Sequence, residues 1–280
     1  MNSLSIRVGL VDMTGTIDPA VMAQVAAALN TQVTRDLPQY WNVHATVTYL
    51  PHKDEIPQGV WPVQIVKTLP PDEGGFHFTR HNQPYAKVIN TPGSNEWAVD
   101  ASHETLEMLV DSAGNRLQAS TAIQIEGDEV VDAATGKFEY LVEVCDPCEA
   151  DDFVYRIDGF SVSDFITPHY YDAHAAPGTR YSFTGAIIRP RQLLKGGYIS
   201  FVNTETAEMQ QILWVDPSEP PQLNDLGPAS GASLRVFVET KTHHRTHEVR
   251  AKIRSKKAAA VKDYRAPLSA AARSRAKLYV

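Results

Sequence analysis

Apolar positions recur along the chain with two different periods, and the period that holds locally predicts each element. Residues 5–11, SIRVGLV, form a short apolar run rich in branched side chains, which predicts a buried strand. Asp18-Pro19 then supplies an N-cap with proline at the first helical position. Val21, Met22, Val25, Ala28, Leu29, Val33 and Leu37 follow at helical spacing, predicting one long amphipathic helix over about 19–37. HATVTYL (44–50) and VWPVQIVKTL (60–69) predict strands, Pro62 arguing for an edge or an early position in the second. GGFHFT and YAKVIN predict further short strands. A second helix is expected to start near Ser102, capped by Asp100 or Ser102. Leu106, Leu109 and Val110 form its apolar face, and it should stop before Gly114.

The second half of the chain reads as mostly β. RLQASTAIQIE and FEYLVEVCD predict strands separated by a loop containing ATGK, and residues 153–172 are aromatic and loop-rich. RYSFTGAII and GGYISFVN continue in β style. The Pro-rich stretch 215–233 predicts a linker or surface loop, and LRVFVET (234–240) a last strand. Strand, helix, strands, helix, then strands make this an α+β protein with helices backing a mixed sheet. The expected organisation is a metal-binding domain over 1–172, a β-rich extension over 173–240 and a basic tail over 241–280.

Charge sharpens that division. The net charge of −7 divides unevenly, because residues 241–280 carry 12 Lys/Arg against 2 acidic residues. An acidic body with a basic tail is two electrostatic objects on one chain; the tail reads first as a solubilising or assembly segment, and the partners it could meet are nucleic acid, an anionic surface or the body itself. With only Tyr264 and Tyr279 interleaved, the tail is poorly suited to stacking on single strands. Two cysteines exclude a disulfide scaffold. No apolar run is long enough for a membrane helix, and MNSLSIRVGL lacks the features of a secretory signal, so a cytoplasmic location is expected.

The chemistry concentrates in ASHETLEMLVD, residues 101–111. On a helix, residues four apart share a face, so His103 and Glu107 can address one ion. Glu104 lies about 100° round the helix, where it can reach a water. That is the arrangement of zinc hydrolases: two ligands one turn apart and an adjacent general base. The competing reading is a solvated helix face. Downstream, YLVEVCDPCE places Glu143 and Asp146 in an apolar stretch where buried carboxylates need partners or a metal.

SHETLEMLVD followed by EVCDPCE resembles the SHExxExxxD…E[IV]xDxC pattern of bacterial zincin-like proteins, and plant and fungal relatives carry a similar signature. The resemblance covers about residues 85–172, including YRIDGFSVSDFITPHYYD. It implies a zincin-like fold, zinc as cofactor, and His103, Glu107 and Glu143 as ligands. It further implies Glu104 as general base, with Asp111 and Asp146 as supporting residues or alternative ligands. Zincins proper have a second His where Glu107 stands, which makes this site more anionic and opens it to calcium or manganese.

Other candidates are weaker. Cys145-x-x-Cys148 has redox or zinc spacing but no second pair, so ordinary buried or loop thiols are the better reading. His169, Tyr170 and Tyr171 follow the family stretch and could stabilise an oxyanion. His77 and His81 are four apart, but on a strand that spacing does not converge on one ion. His243, His244 and His247 read as part of a solvated tail. The function expected is zinc-dependent peptide hydrolysis. The alternatives are a non-catalytic structural or assembly protein of a phage or particle, and a nucleic-acid-associated protein acting through the tail.

Overall fold

A computed structural model describes residues 5–69, 74–90, 93–214, 216 and 218–242. The strands in chain order are β1 (Ile6–Asp12), β2 (Ala45–Tyr49), β3 (Val60–Val66), β4 (Gly75–Arg80), β5 (Gln83–Ile89) and β6 (Leu117–Glu126). They continue as β7 (Glu129–Leu141), β8 (Tyr155–Ile157), β9 (Phe160–Val162), β10 (Tyr198–Asn203), β11 (Glu208–Leu213) and β12 (Gln222–Pro228). The helices are α1 (Pro19–Thr31), α2 (Trp97–Val110) and α3, residues 234–242. The protein is α+β.

The first sheet has the order β2-β1-β3-β5-β4. Its first four strands run parallel, and β4 closes the edge antiparallel to β5. Pro62 sits in the central strand β3 yet costs no ladder bond to β5, because pairing with β5 begins one residue later, at Val63. α1 packs on β2 and β1, and α2 on β5, β4 and β3. A buried hydrogen bond from Ser102 Oγ to Gln32 Oε1 (2.8 Å) brings the two helical segments side by side on one face.

The N-terminal helical run departs from the expected single α-helix. Asp18 does cap it, accepting from the Ala20 N–H at 2.8 Å. After Thr31, however, the chain continues as a π-turn over Gln32–Asp36 and a 3-10 turn over Leu37–Gln39. Tertiary hydrogen bonds account for the change. The Gln32 amide donates to Tyr155 Oη (3.1 Å) and the Ser163 carbonyl (3.0 Å), while Asp36 accepts from Tyr155 Oη (2.9 Å).

The second sheet, β12-β11-β10-β7-β6, is antiparallel and draws strands from both sides of residue 172. One apolar cluster runs from Val8 and Leu10 through Trp97 and Met108 to Phe201 and Ile212, so both sheets share a core. Several expectations are corrected here. ATGK lies inside β7, where the register with β6 shifts at a bulge rather than breaking into a loop. β7 ends at Leu141, so 142–146 is not strand. Within RYSFTGAII the only pairing is one bridge, Ile166 to Ser182. The Pro-rich stretch contains β12, paired with β11. LRVFVET is helical, the start of α3. The histidines at 243, 244 and 247 and the basic tail beyond Thr242 lie outside the described residues.

Among the described residues, no helix is long and apolar enough to cross a membrane.

Candidate metal centre

α2 begins at Trp97, five residues earlier than its sequence suggests, and thirteen of its fourteen residues are buried. That burial rules out a solvated face for His103, Glu104 and Glu107, of which Glu107 is wholly inaccessible. One side of α2 meets the first sheet. The other meets β9 and the segment that follows β7.

Helical spacing places His103 Nε2 3.2 Å from Glu107 Oε1. The turn after β7 then delivers a second carboxylate to the same nitrogen: Asp146 Oδ1 lies 3.2 Å from His103 Nε2. Asp146 opens a 3-10 turn, Asp146–Cys148, held by Gly197. A Cβ at Gly197 would lie 2.5 Å from the Asp146 carbonyl oxygen, so only glycine allows this approach. Glu107 uses its oxygens in two directions. Oε1 also accepts the Cys145 N–H (3.2 Å), while Oε2 accepts from Arg235 Nη1 at 2.6 Å.

Glu143 lies on the Arg235 side. Its Oε2 accepts from the same Nη1 at 2.9 Å, and its Oε1 has no hydrogen-bond partner. Carboxylate oxygens of Glu107, Glu143 and Asp146 nevertheless lie within 4.8 Å of one another. A strand continued through Glu143 would either turn Asp146 away from it or leave Asp146 to begin the turn at Pro147; the strand stops at Leu141, and Asp146 does begin that turn. Both carboxylates enter the site.

Glu104 points to the neighbouring side of α2. Its Oε2 lies 3.3 Å from His77 Nδ1 and accepts from Arg235 Nη2 at 3.2 Å. Gly75 leaves it room: a Cβ there would come within 3.0 Å of Glu104 Cγ and Oε1. Arg235 is the site residue that sequence reasoning missed; His77, set aside there as half of an i, i+4 pair with His81, also lines the site. His77 projects inward from β4, buried, with Nε2 3.2 Å from the Asp111 carbonyl oxygen, while His81 sits in the β4–β5 turn with φ 50°. The inward alternation of β4 was the available signal for His77.

The remaining candidates lie around the cluster. Asp111 ends α2 and accepts the Arg116 N–H (2.6 Å), shaping the 111–116 loop. Tyr170 is buried and donates to the Gln192 carbonyl (3.1 Å). Tyr171 is buried near enough to Glu143 to feel its charge. His169 is exposed and pairs with Asp172 at 2.8 Å. Both cysteines are free and buried, and burial pushes their thiols well above the usual range.

Electrostatically the centre is short of positive charge. Four carboxylates (Glu104, Glu107, Glu143, Asp146) share Arg235 and the two histidines. Burial would depress His103, but the charge of Glu107 and contact with Asp146 hold it well above the imidazole range. Burial would raise Glu107 and Glu104, yet His103 and Arg235 hold the first well below its usual value. Arg235 and His77 hold the second down. Those cations do not suffice for the remainder. Burial, reinforced by Glu107 and Asp146 against Arg235, pushes Glu143 well up. Burial and the Glu107 charge push Asp146 up to about 7.

The donor set suits a cation. Metal–ligand distances near 2.0–2.1 Å put neighbouring tetrahedral ligands about 3.3 Å apart. His103–Glu107 and His103–Asp146 both lie at 3.2 Å. A single imidazole nitrogen carries at most one proton and cannot satisfy two carboxylates, and neither Asp146 oxygen has a hydrogen-bond partner.

Comparison with protein-family models, with curated proteins and with solved structures finds no match.

Proposed function

We propose that the chain is a metal-dependent hydrolase acting on peptide bonds. The observation that carries the reading is the convergence of two buried carboxylates, Glu107 and Asp146, on one nitrogen of His103, with Asp146 otherwise unsatisfied. His103, Glu107 and Asp146 would hold the ion, with Glu143, whose Oε1 has no hydrogen-bond partner, completing the set. Zinc is the ion the zincin-like resemblance implies, and a donor set this rich in carboxylate also suits manganese or calcium. When bound, such an ion supplies positive charge that polarises a carbonyl and acidifies water.

The residues divide the remaining work. Glu104, one position along from His103, is set aside from the ligand line and would accept the proton of the attacking water at its carboxylate. His77, 3.3 Å from Glu104 on its far side, would hold that carboxylate in place and moderate its basicity. Three carboxylate ligands donate more charge than imidazoles, so water is acidified less and turnover should be slow.

A second reading is a cation that only ties α2 to the 142–146 segment in a structural or assembly protein. The near-complete burial of His103, Glu104 and Glu107 favours it. One experiment separates the two: metal analysis of protein purified without a histidine tag, followed by peptide-hydrolysis assays on wild type and Glu104→Gln. Bound metal with hydrolysis lost only in Glu104→Gln supports the enzyme. Metal without hydrolysis in either supports the structural reading, and absence of metal sinks both.

A further inference from the structure

Arg235 lies at the centre of the carboxylate cluster, yet the proposed chemistry gives it no task. It arrives from far along the chain, on the first turn of α3. The loop that ends α2 caps that turn from outside: Leu234 N–H donates to Asn115 Oδ1 (2.8 Å) and Arg235 N–H to the Gly114 carbonyl (3.0 Å). Asn115 Nδ2 returns a bond to the Ala232 carbonyl (2.7 Å). Gly114, at φ 63°, is what permits the approach, since a Cβ there would lie 2.7 Å from Arg235 Cβ. The dock is built for this segment.

The guanidinium then takes hold of selected groups. Nη1 donates to Glu107 Oε2 (2.6 Å) and Glu143 Oε2 (2.9 Å), Nη2 to Glu104 Oε2 (3.2 Å), and Nε to Glu239 (2.8 Å). Glu104 is the group proposed to take the proton, and Glu143 the one proposed to complete the ligand set. Both are charge-paired with the arginine. By contrast His103, Glu107 Oε1 and Asp146 make no hydrogen bond to it. The arginine thus engages one oxygen each of Glu104, Glu107 and Glu143 and leaves Glu107 Oε1, Glu143 Oε1 and Asp146 unbonded to it.

The attachment of α3 is modest compared with that of α2. Within residues 234–242 only Arg235, Val238 and Thr242 are buried. Val238 joins Leu141 and Met209 in a small satellite cluster rather than the main core. A segment with few buried apolar groups belongs to the low-stability end of a structure and opens before the core does.

We infer that α3 is a built-in inhibitory latch, in which Arg235 holds Glu104 and Glu143 until a divalent cation or removal of the segment displaces it. The inference rests on the metal-site reading above. A cation seated among Glu107, Glu143 and Asp146 must displace the like charge that Arg235 already places on two of those carboxylates, so its apparent affinity is lowered by the fraction of molecules that are latched.

The test uses the full chain. Zinc affinity is measured by chelator competition for wild type and Arg235→Met, and hydrogen exchange is followed across residues 232–242 with and without saturating zinc. Arg235→Met should bind zinc about tenfold tighter or more. In wild type, zinc should speed exchange in 232–242 while slowing it in 97–110. If zinc binds both proteins equally and exchange in 232–242 does not change, the latch is wrong and the metal site stands. If neither protein binds zinc, manganese or calcium, the metal reading falls and the latch falls with it. Should Arg235→Met fail to fold, the wild-type exchange result decides alone.

Discussion

Ser102 is wholly buried and stands immediately before His103, and its hydroxyl makes two bonds that cross the fold. It donates to Gln32 Oε1 at 2.8 Å and accepts the Ser163 N–H at 2.9 Å. Ser102→Ala would leave a buried acceptor and a buried donor without partners, at about 1–3 kcal/mol each. Alanine recovers a few tenths of a kcal/mol of helix propensity. The net loss should be roughly 2–5 kcal/mol, and at about 2–4 °C per kcal/mol for a chain of this size Tm should fall by roughly 4–20 °C. Urea unfolding followed by tryptophan fluorescence and circular dichroism gives the first number, and calorimetry the second. Thr34→Ala is the control, because Thr34 Oγ1 also donates a hydrogen bond, to the Asn30 carbonyl at 2.6 Å, but at an exposed position. It should change stability by less than about 0.5 kcal/mol. If Ser102→Ala costs no more than this control, the Gln32–Ser102–Ser163 network does not fasten the helices together.

Saturating zinc at about a hundredfold over its Kd should stabilise the protein by about 2.7 kcal/mol, and a chelator should reverse this; a Tm unmoved by zinc, manganese and calcium would count against the site. Gly197→Ala sets a Cβ 2.5 Å from a backbone oxygen of Asp146, so it should cost about 1–3 kcal/mol and weaken metal binding together, read from urea unfolding and chelator competition. Gly75→Ala presses on Glu104 instead, at 3.0 Å, and should reduce hydrolysis more than it reduces metal affinity. A chain ending at Thr242 should unfold at the same urea midpoint and with the same sharpness as the full chain, because it retains Val238 and Thr242. Loss of cooperativity would show that residues beyond 242 belong to the core.

The parts of the fold that were legible are those where local pattern and tertiary demand agree. Asp18-Pro19 starts α1, the alternating strands of the first sheet appear where their periods predict, and His103 and Glu107 share a face as helical spacing requires. Elsewhere the packing overrides the pattern. Val236 and Val238 in LRVFVET favour strand, but the Arg235–Glu239 pair and the Gly114–Asn115 dock hold the segment helical. Arg235 meets His77 across 158 residues and Glu104 across 131, separations that leave no periodic trace. Glu143 and Asp146 were recognised as site residues, but their directions followed from a strand that ends two residues before Glu143.

The π-turn over Gln32–Asp36 fixes something besides hydrogen bonds. Each residue added to or removed from a helix rotates all that follows by about 100°. Leu37 and Trp41, both buried, lie just beyond it, and Trp41 Nε1 donates to the Ile166 carbonyl at 2.8 Å. A π-turn takes up one residue more than an α-turn for nearly the same rotation, so deleting the exposed Thr34 would let the run relax to ordinary α-winding and leave both side chains facing the core. The same deletion in Pro19–Thr31 would turn everything after it, so the wide turn is slack wound into the helix, the one place where the run can give up a residue without losing its aim.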